Sequence, residues 1–300
     1  MTGHTITITG ASGKLGRAIS EELASRVPVS LVTLGTRSPE SLQAFGASGY
    51  RVMPVNFDEP SSVEEAFRGA AAMLLICGHG SNETRIRQHM DAIDAAKRCS
   101  TGRIYYTSFT NPTKASLFPF AKVHEASEAH ARASGLRYTF LRNNHYAENL
   151  ETALQRAHTS GELSLPGARG KVAYIARQDV AAATAGALAL SQVEASYELS
   201  GPEALDLFEV ADLASEAWGR KITARDMPAD EYRSLLIARG LSPFAAEGQV
   251  GIRLASGAGE YGEITRNAEQ LAGRALRTMR QYLHTFSRET LTEPSPLGRV

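Results

Sequence analysis

Seven residues near the amino terminus, Gly10-Ala11-Ser12-Gly13-Lys14-Leu15-Gly16, narrow the folds open to this chain more sharply than any other stretch. They follow residues 5–9, an Ile- and Thr-rich run that reads as a strand. They precede Leu15, Ile19, Leu23 and Val27, which recur at helical spacing. A G-x-x-G-x-x-G pattern between a strand and a helix is the arrangement a pyrophosphate needs. Gly10 permits a tight turn off the strand, Gly13 lets the backbone approach the phosphates, and Gly16 lets the helix pack close to the sheet. The helix start then aims free N–H groups and partial positive charge at the anion. Ser12 adds a hydroxyl donor, and Lys14 and Leu15 complete the expected phosphate-binding loop.

Strand and helix patterns alternate from there. Strands are predicted over residues 29–34, 50–55, 73–77, 103–108 and 138–141, and helices over 41–45, 60–67, 85–98 and 120–133. Such alternation predicts an α/β fold, a Rossmann-type doubly wound parallel sheet with right-handed crossovers. Residues 1–150 are expected to form a dinucleotide-binding Rossmann domain. Residues 151–300 are expected to be mostly a smaller, mainly helical substrate-binding part, with some segments returning to the Rossmann sheet. In that half, strands are expected at 172–175, 197–200 and 222–224, and helices at 208–218 and 231–239, with Asp179 capping an Ala-rich helix. Residues 248–262, rich in glycine and without clear period, read as a lid or loop. The polar, Pro-containing end, residues 287–300, is expected to fray.

The second strand decides which dinucleotide fits. A site for NAD usually places a carboxylate at its end to bond the ribose hydroxyls. Residues 29–37 contain no Asp or Glu and finish on Arg37. A carboxylate would repel the 2′-phosphate of NADP, whereas an arginine pairs with it. NADP(H) is therefore the expected cofactor, with a solvated surface role for Arg37 as the alternative.

Composition removes other classes. Among the 300 residues, Lys plus Arg (32) equals Asp plus Glu (32), so no global charge draws the chain to nucleic acid or an anionic membrane. No run is long enough to span a bilayer, and the early strand leaves no room for a signal peptide. A cytoplasmic location is expected. Cys77 and Cys99 have no metal-ligand spacing and read as free thiols, and His89, His130 and His158 show none either. No metal is expected.

The segment between the fifth and sixth strands is Phe118-Pro119-Phe120-Ala121-Lys122-Val123-His124. Many short-chain dehydrogenases carry Tyr-x-x-x-Lys here, and Phe118 cannot donate the proton that tyrosine would. Lys122, a cation in the first turn of a helix, opposes the macrodipole. It either holds the nicotinamide ribose or is a solvated surface lysine.

The loop ITGASGKLG, the segment FPFAKVHEASEAHARASGLRYTFLRN and its continuation NHYAEN resemble the NmrA-like branch of atypical short-chain dehydrogenases. Type-2 NAD(P)H:quinone oxidoreductases and triphenylmethane reductases are its related groups. The resemblance runs to about residue 285. It implies an NADPH-dependent reductase of quinones, dyes or other conjugated small molecules. It implies that Arg37 meets the adenosine phosphate and that the loops after Cys77 (with Gly78), Thr107 and Arg142 (with Asn143) surround the nicotinamide. Asn56 stands where the family commonly has an Asp beside the adenine, and its amide oxygen can still accept from the adenine amino group. Hydride addition to a conjugated acceptor needs positioning and a flat apolar pocket more than a strong acid. If a proton is needed, Tyr146, His79 or His145 can supply or relay it, a packing role being the alternative for each. Phe244 and Tyr261 are further aromatic candidates near the substrate. A non-catalytic NADP(H)-sensing regulator of the NmrA type is the rival reading, and a monomer or homodimer fits either.

Overall fold

The computed structural model describes residues 5–78 and 80–290. β1 (Ile6–Ile8) is buried throughout, and α1 (Lys14–Leu23) starts immediately after the glycine turn, with Gly13 at its N-cap. β2 (Val32–Thr36), α2 (Gln43–Ala47), β3 (Arg51–Pro54), α3 (Pro60–Phe67), β4 (Ala72–Leu75), α4 (Asn82–Arg98), β5 (Arg103–Phe109), α5 (Ala121–Ala133) and β6 (Arg137–Asn143) continue the alternation. Then come α6 (Glu151–Ser160), β7 (Glu162–Leu165), α7 (Arg177–Ala189), β8 (Ser196–Leu199), α8 (Leu207–Trp218) and β9 (Thr223–Asp226). Helices α9 (Ala229–Ala238), α10 (Pro243–Gly257), α11 (Asn267–Ala272) and α12 (Met279–Thr290) complete the described chain.

Seven parallel strands form one sheet in the order β3-β2-β1-β4-β5-β6-β8. The order reverses between β1 and β4, and in open α/β sheets that switch point marks the ligand crevice. α1 lays Leu15, Ile19 and Leu23 against the sheet core, which also takes in the Ala-rich face of α7 and Leu271 of α11. Small side chains on α7 allow close approach: a Cβ at Gly186 would sit 1.8 Å from the Leu271 carbonyl oxygen. β8, α7 and α11 thus return from the second half to the dinucleotide sheet. A separate core gathers α6, α8, α9, α10 and α12 around the two-stranded β7–β9 pair.

Three expectations need correction. Asp179 caps nothing: Ala176 is the N-cap of α7, and the buried Asp179 carboxylate instead pairs with Arg274 at 2.6 Å and accepts from the Arg277 amide at 2.8 Å. Much of the stretch 248–262 is helix, not loop, because α10 runs to Gly257. Its glycines answer to packing: a Cβ at Gly248 would lie 2.4 Å from the Phe120 ring, and one at Gly251 2.2 Å from Pro119. Residues 172–175 make only isolated bridges, Val172 to Leu205 and Ile175 to Tyr146. Of the tail expected to fray, residues 287–290 end α12, and 291–300 lie outside the described residues.

Between α4, α5 and β5 lies a buried polar cluster. The Tyr106 hydroxyl contacts His124 Nδ1 at 2.9 Å and His89 Nδ1 at 3.4 Å, and His89 Nδ1 also meets Ser127 Oγ at 2.8 Å. Burial first, and then the nearby Arg85 charge, hold both imidazoles neutral and lower each pKa to about 3; His124 adds to the effect on His89. The folded values lie below that of an unfolded histidine, about 6.5, so on acidification the unfolded chain takes up protons first. Stability from these groups is full above about pH 6.5 and is lost as pH falls toward 3, by up to about 1.4 kcal/mol per pH unit for each histidine. Half-buried Glu148 and Glu198, whose pKa values desolvation raises, offset part of this loss. The urea midpoint should therefore be lower near pH 5 than near pH 7. Equal midpoints would show that water reaches the imidazoles.

Candidate functional site: a crevice at the carboxyl edge of the sheet

The carboxyl ends of β1, β4, β5 and β6 lie side by side, at the edge where open α/β sheets form their ligand crevice. Gly10 turns the chain with φ +65°, a conformation that costs glycine little. Gly16 is needed for approach, since a Cβ there would sit 2.4 Å from the Gly10 carbonyl oxygen. The turn is closed by Gly13 N–H donating to the Gly10 carbonyl at 3.1 Å and joined to β2 by Ala11 N–H donating to Gly35 at 3.0 Å. Thr36 donates its hydroxyl to Ser12 Oγ at 2.8 Å and accepts from Ser38 N–H at 3.1 Å. Arg17 braces the loop from α1, donating to the carbonyls of Ser12 (2.9 Å) and Ser41 (2.6 Å). No local pattern singles out Arg17, because only the fold brings the 36–41 segment to it.

Lys14 and Arg37 are exposed and, among the described residues, have no hydrogen-bond or ion-pair partner. Leu15 packs inward with the core. A loop of bare backbone with two free cations beside it fits a dinucleotide diphosphate carrying an extra phosphate. Asn56 is committed locally: its Oδ1 accepts from Asp58 N–H at 3.1 Å and its Nδ2 donates to Glu59 at 2.9 Å.

At β4, Cys77 N–H donates to the Thr107 hydroxyl at 3.0 Å, so buried Thr107 ties the ends of β4 and β5 together. Burial pushes the Cys77 thiol up, keeping it protonated. A Cβ at Gly78 would meet nothing within 4 Å, which leaves room above the switch point. His79 lies outside the described residues.

β6 contributes two different side chains. Arg142 departs from expectation, because its alternate position on the strand turns it toward α5. There its guanidinium donates to Glu128 at 2.9 and 2.7 Å and to Glu198 at 3.0 Å, which leaves it committed to protein carboxylates. Asn143 points to the other side and donates to the Tyr146 hydroxyl at 2.9 Å; its own Oδ1 is buried without a partner. Burial, chiefly, raises the Tyr146 pKa, so the phenol keeps its proton across the neutral range. His145 is fully buried and edge-on to Tyr174 at 5.4 Å, a packing position.

Aromatic rings line the loop after β5. Phe109 meets Phe118 (5.2 Å) and Tyr261 (5.4 Å), Phe118 meets Phe120 (5.3 Å), and Phe120 stacks on Phe244 (5.1 Å). The loop is pinned by Glu260, whose carboxylate accepts from Asn111 Nδ2 (2.7 Å), Ser116 Oγ (2.5 Å) and Leu117 N–H (2.8 Å). Glu260 carried no signal in the sequence, because its partners are distant along the chain. Lys122 is exposed on α5 and has no hydrogen-bond or ion-pair partner among the described residues. Its charge is felt by Glu83 at the start of α4.

Strand order, glycine turn and crevice together define a dinucleotide-binding protein of the Rossmann class. Residues 10–190 match the NAD(P)H-binding family, and the chain belongs to it. It is 31% identical over 251 residues to quinone oxidoreductase 2 of Escherichia coli, covering 82% of this chain and 87% of that protein. It is 26% identical over 235 residues to an NmrA-like family domain-containing oxidoreductase of Aspergillus flavus, covering 75% of each. The triphenylmethane reductase of Citrobacter sp., solved with NADP(H), superposes with a TM-score of 0.89 at 28% identity, covering 94% of this chain and 100% of that one. The protein is an NAD(P)H-dependent oxidoreductase with NmrA-like relatives, as its sequence led one to expect. No helix among the described residues is long and apolar enough to cross a membrane.

Proposed function

We propose that this protein is an NADPH-dependent reductase that delivers hydride to a quinone-like or other conjugated small molecule. The observation that carries the reading is the crevice's division of labour. The place of a tyrosine acid is taken by Phe118 within a row of rings, while Asn143 and Tyr146 supply the polar groups opposite. NADPH, when bound, supplies a hydride to an electron-poor acceptor. Lys14 and Arg37, both exposed and without a partner among the described residues, would hold its phosphates. Residues 1–150 serve the cofactor, and the later part shapes the acceptor's pocket. Phenylalanine faces suit a flat acceptor. The Tyr146 oxygen already accepts from Asn143, so its own O–H is free to donate. The activities of the similar quinone oxidoreductase and triphenylmethane reductase point the same way.

The test is NADPH and NADH oxidation with a panel of quinones and cationic dyes. Fast oxidation supports the reading. Tight binding without turnover on any acceptor favours a cofactor-sensing regulator, and no binding of either nucleotide removes both. Tyr146→Phe is expected to lower kcat by about 10²-fold on acceptors that take up a proton in the slow step. The KM for NADPH should change little. An unchanged kcat would assign proton delivery to water.

A further inference from the structure

We propose that the cavity among α6, α9 and α10 is an anion-binding subsite, so that the acceptor carries a carboxylate or a phosphate; this rests on the reductase reading above. The cavity has a volume of about 290 Å³ and is lined by Arg156, Arg239 and Arg253, with Glu148 as the acidic residue in its wall. Arg253 is 2% exposed, and its Nη2 donates to the Asn149 carbonyl at 3.0 Å. Its Nε is buried and has no partner. Among the described residues, none of the three arginines forms an ion pair, whereas nearby Arg225 and Arg233 each hold two carboxylates. Glu148 does not serve them: both its oxygens accept from the Arg177 amide at 3.0 Å, and its ion-pair partner is the Arg177 guanidinium at 4.0 Å.

Arg253 is a guanidinium buried without a counter-ion, which is costly, and with half-buried Arg156 and exposed Arg239 at the same cavity it calls for an anion from outside the chain. The planar fork of arginine matches carboxylate and phosphate oxygens. Tyr232, Leu236 and Leu241 supply apolar wall for the rest of the ligand. Location ties the cavity to the crevice. Glu148 and Asn149 directly follow Tyr146 and Ala147 in the chain, and Asn149 Nδ2 reaches His145 Nδ1 at 3.4 Å. An acceptor with its ring at the crevice and its acidic tail among the arginines spans the two.

Calorimetric titration of the NADP⁺-saturated protein with benzoate, phenyl phosphate and uncharged benzamide tests this. At least one anion is expected to bind about tenfold more tightly than benzamide or better. Arg156→Gln combined with Arg239→Gln is expected to remove that preference, its fold checked by circular dichroism. Tighter phenyl phosphate assigns a phosphate monoester, and tighter benzoate assigns a carboxylate. Equal binding of all three probes, or a preference that survives the double substitution, overturns the proposal. The titration needs no turnover. Failure here with NADPH oxidation intact removes the subsite alone, and anion preference without oxidation of any acceptor removes the reductase reading alone.

Discussion

Arg37→Glu is expected to weaken NADPH binding by about 30- to 150-fold while NADH binding changes little, a loss of about 2–3 kcal/mol. A hydrogen bond to a charged group contributes about 1.5–3 kcal/mol, and a carboxylate facing the 2′-phosphate adds repulsion. Exposure of Arg37 and salt screening keep the total near that range. Asp58, a carboxylate that feels its charge, does not neutralise it, because Asp58 is held by Arg87 at 2.6 Å and by Gln88 at 3.2 Å. Direct titration with both nucleotides reads the result. Equal weakening of both would place Arg37 away from the phosphate.

Glu128→Ala is expected to cost about 3–5 kcal/mol of folding stability, since it breaks a buried ion pair and leaves its partners in place. The Glu128 side chain is 1% exposed. It accepts from Arg142 twice, from Arg132 at 2.7 Å and from Ser108 Oγ at 2.7 Å. Alanine would leave Arg142 with Glu198 alone and strand the buried Ser108 hydroxyl. Glu128→Gln keeps the shape and part of the hydrogen bonding, so its loss should be smaller. Urea unfolding measures both. A cost for alanine below about 1 kcal/mol would mean that water already screens the network.

These two residues also mark what the sequence could and could not reveal. Arg37 stands out because the role proposed for it depends only on local context, the end of a strand that follows a phosphate loop. Glu128 was invisible because it is one of several acids on an amphipathic helix, and only the sheet shows that Arg142 points at it. The parallel strands were legible for the same local reason: runs such as Ala72–Leu75 are apolar throughout. Helix α10 was not, because Gly248 and Gly251 break its apolar period to admit Phe120 and Pro119 from elsewhere in the chain. Asp179 misled because a carboxylate early in a helix is the usual sign of a cap, and here a distant arginine claims it. The proposed anion cavity depends on Arg156 of α6, Arg239 just past the end of α9 and Arg253 of α10, a convergence no spacing in the chain announces.

The triple hold of Glu260 on residues 111–117 has a further consequence. One wall of the crevice is a fixed jaw, set before any acceptor arrives. Such a wall adds no ordering cost to binding. It also does not mould itself to a bulky or puckered molecule. In the reductase proposed above, choice among acceptors would then work by exclusion, with thickness and planarity as the criteria and a single acid setting the gauge.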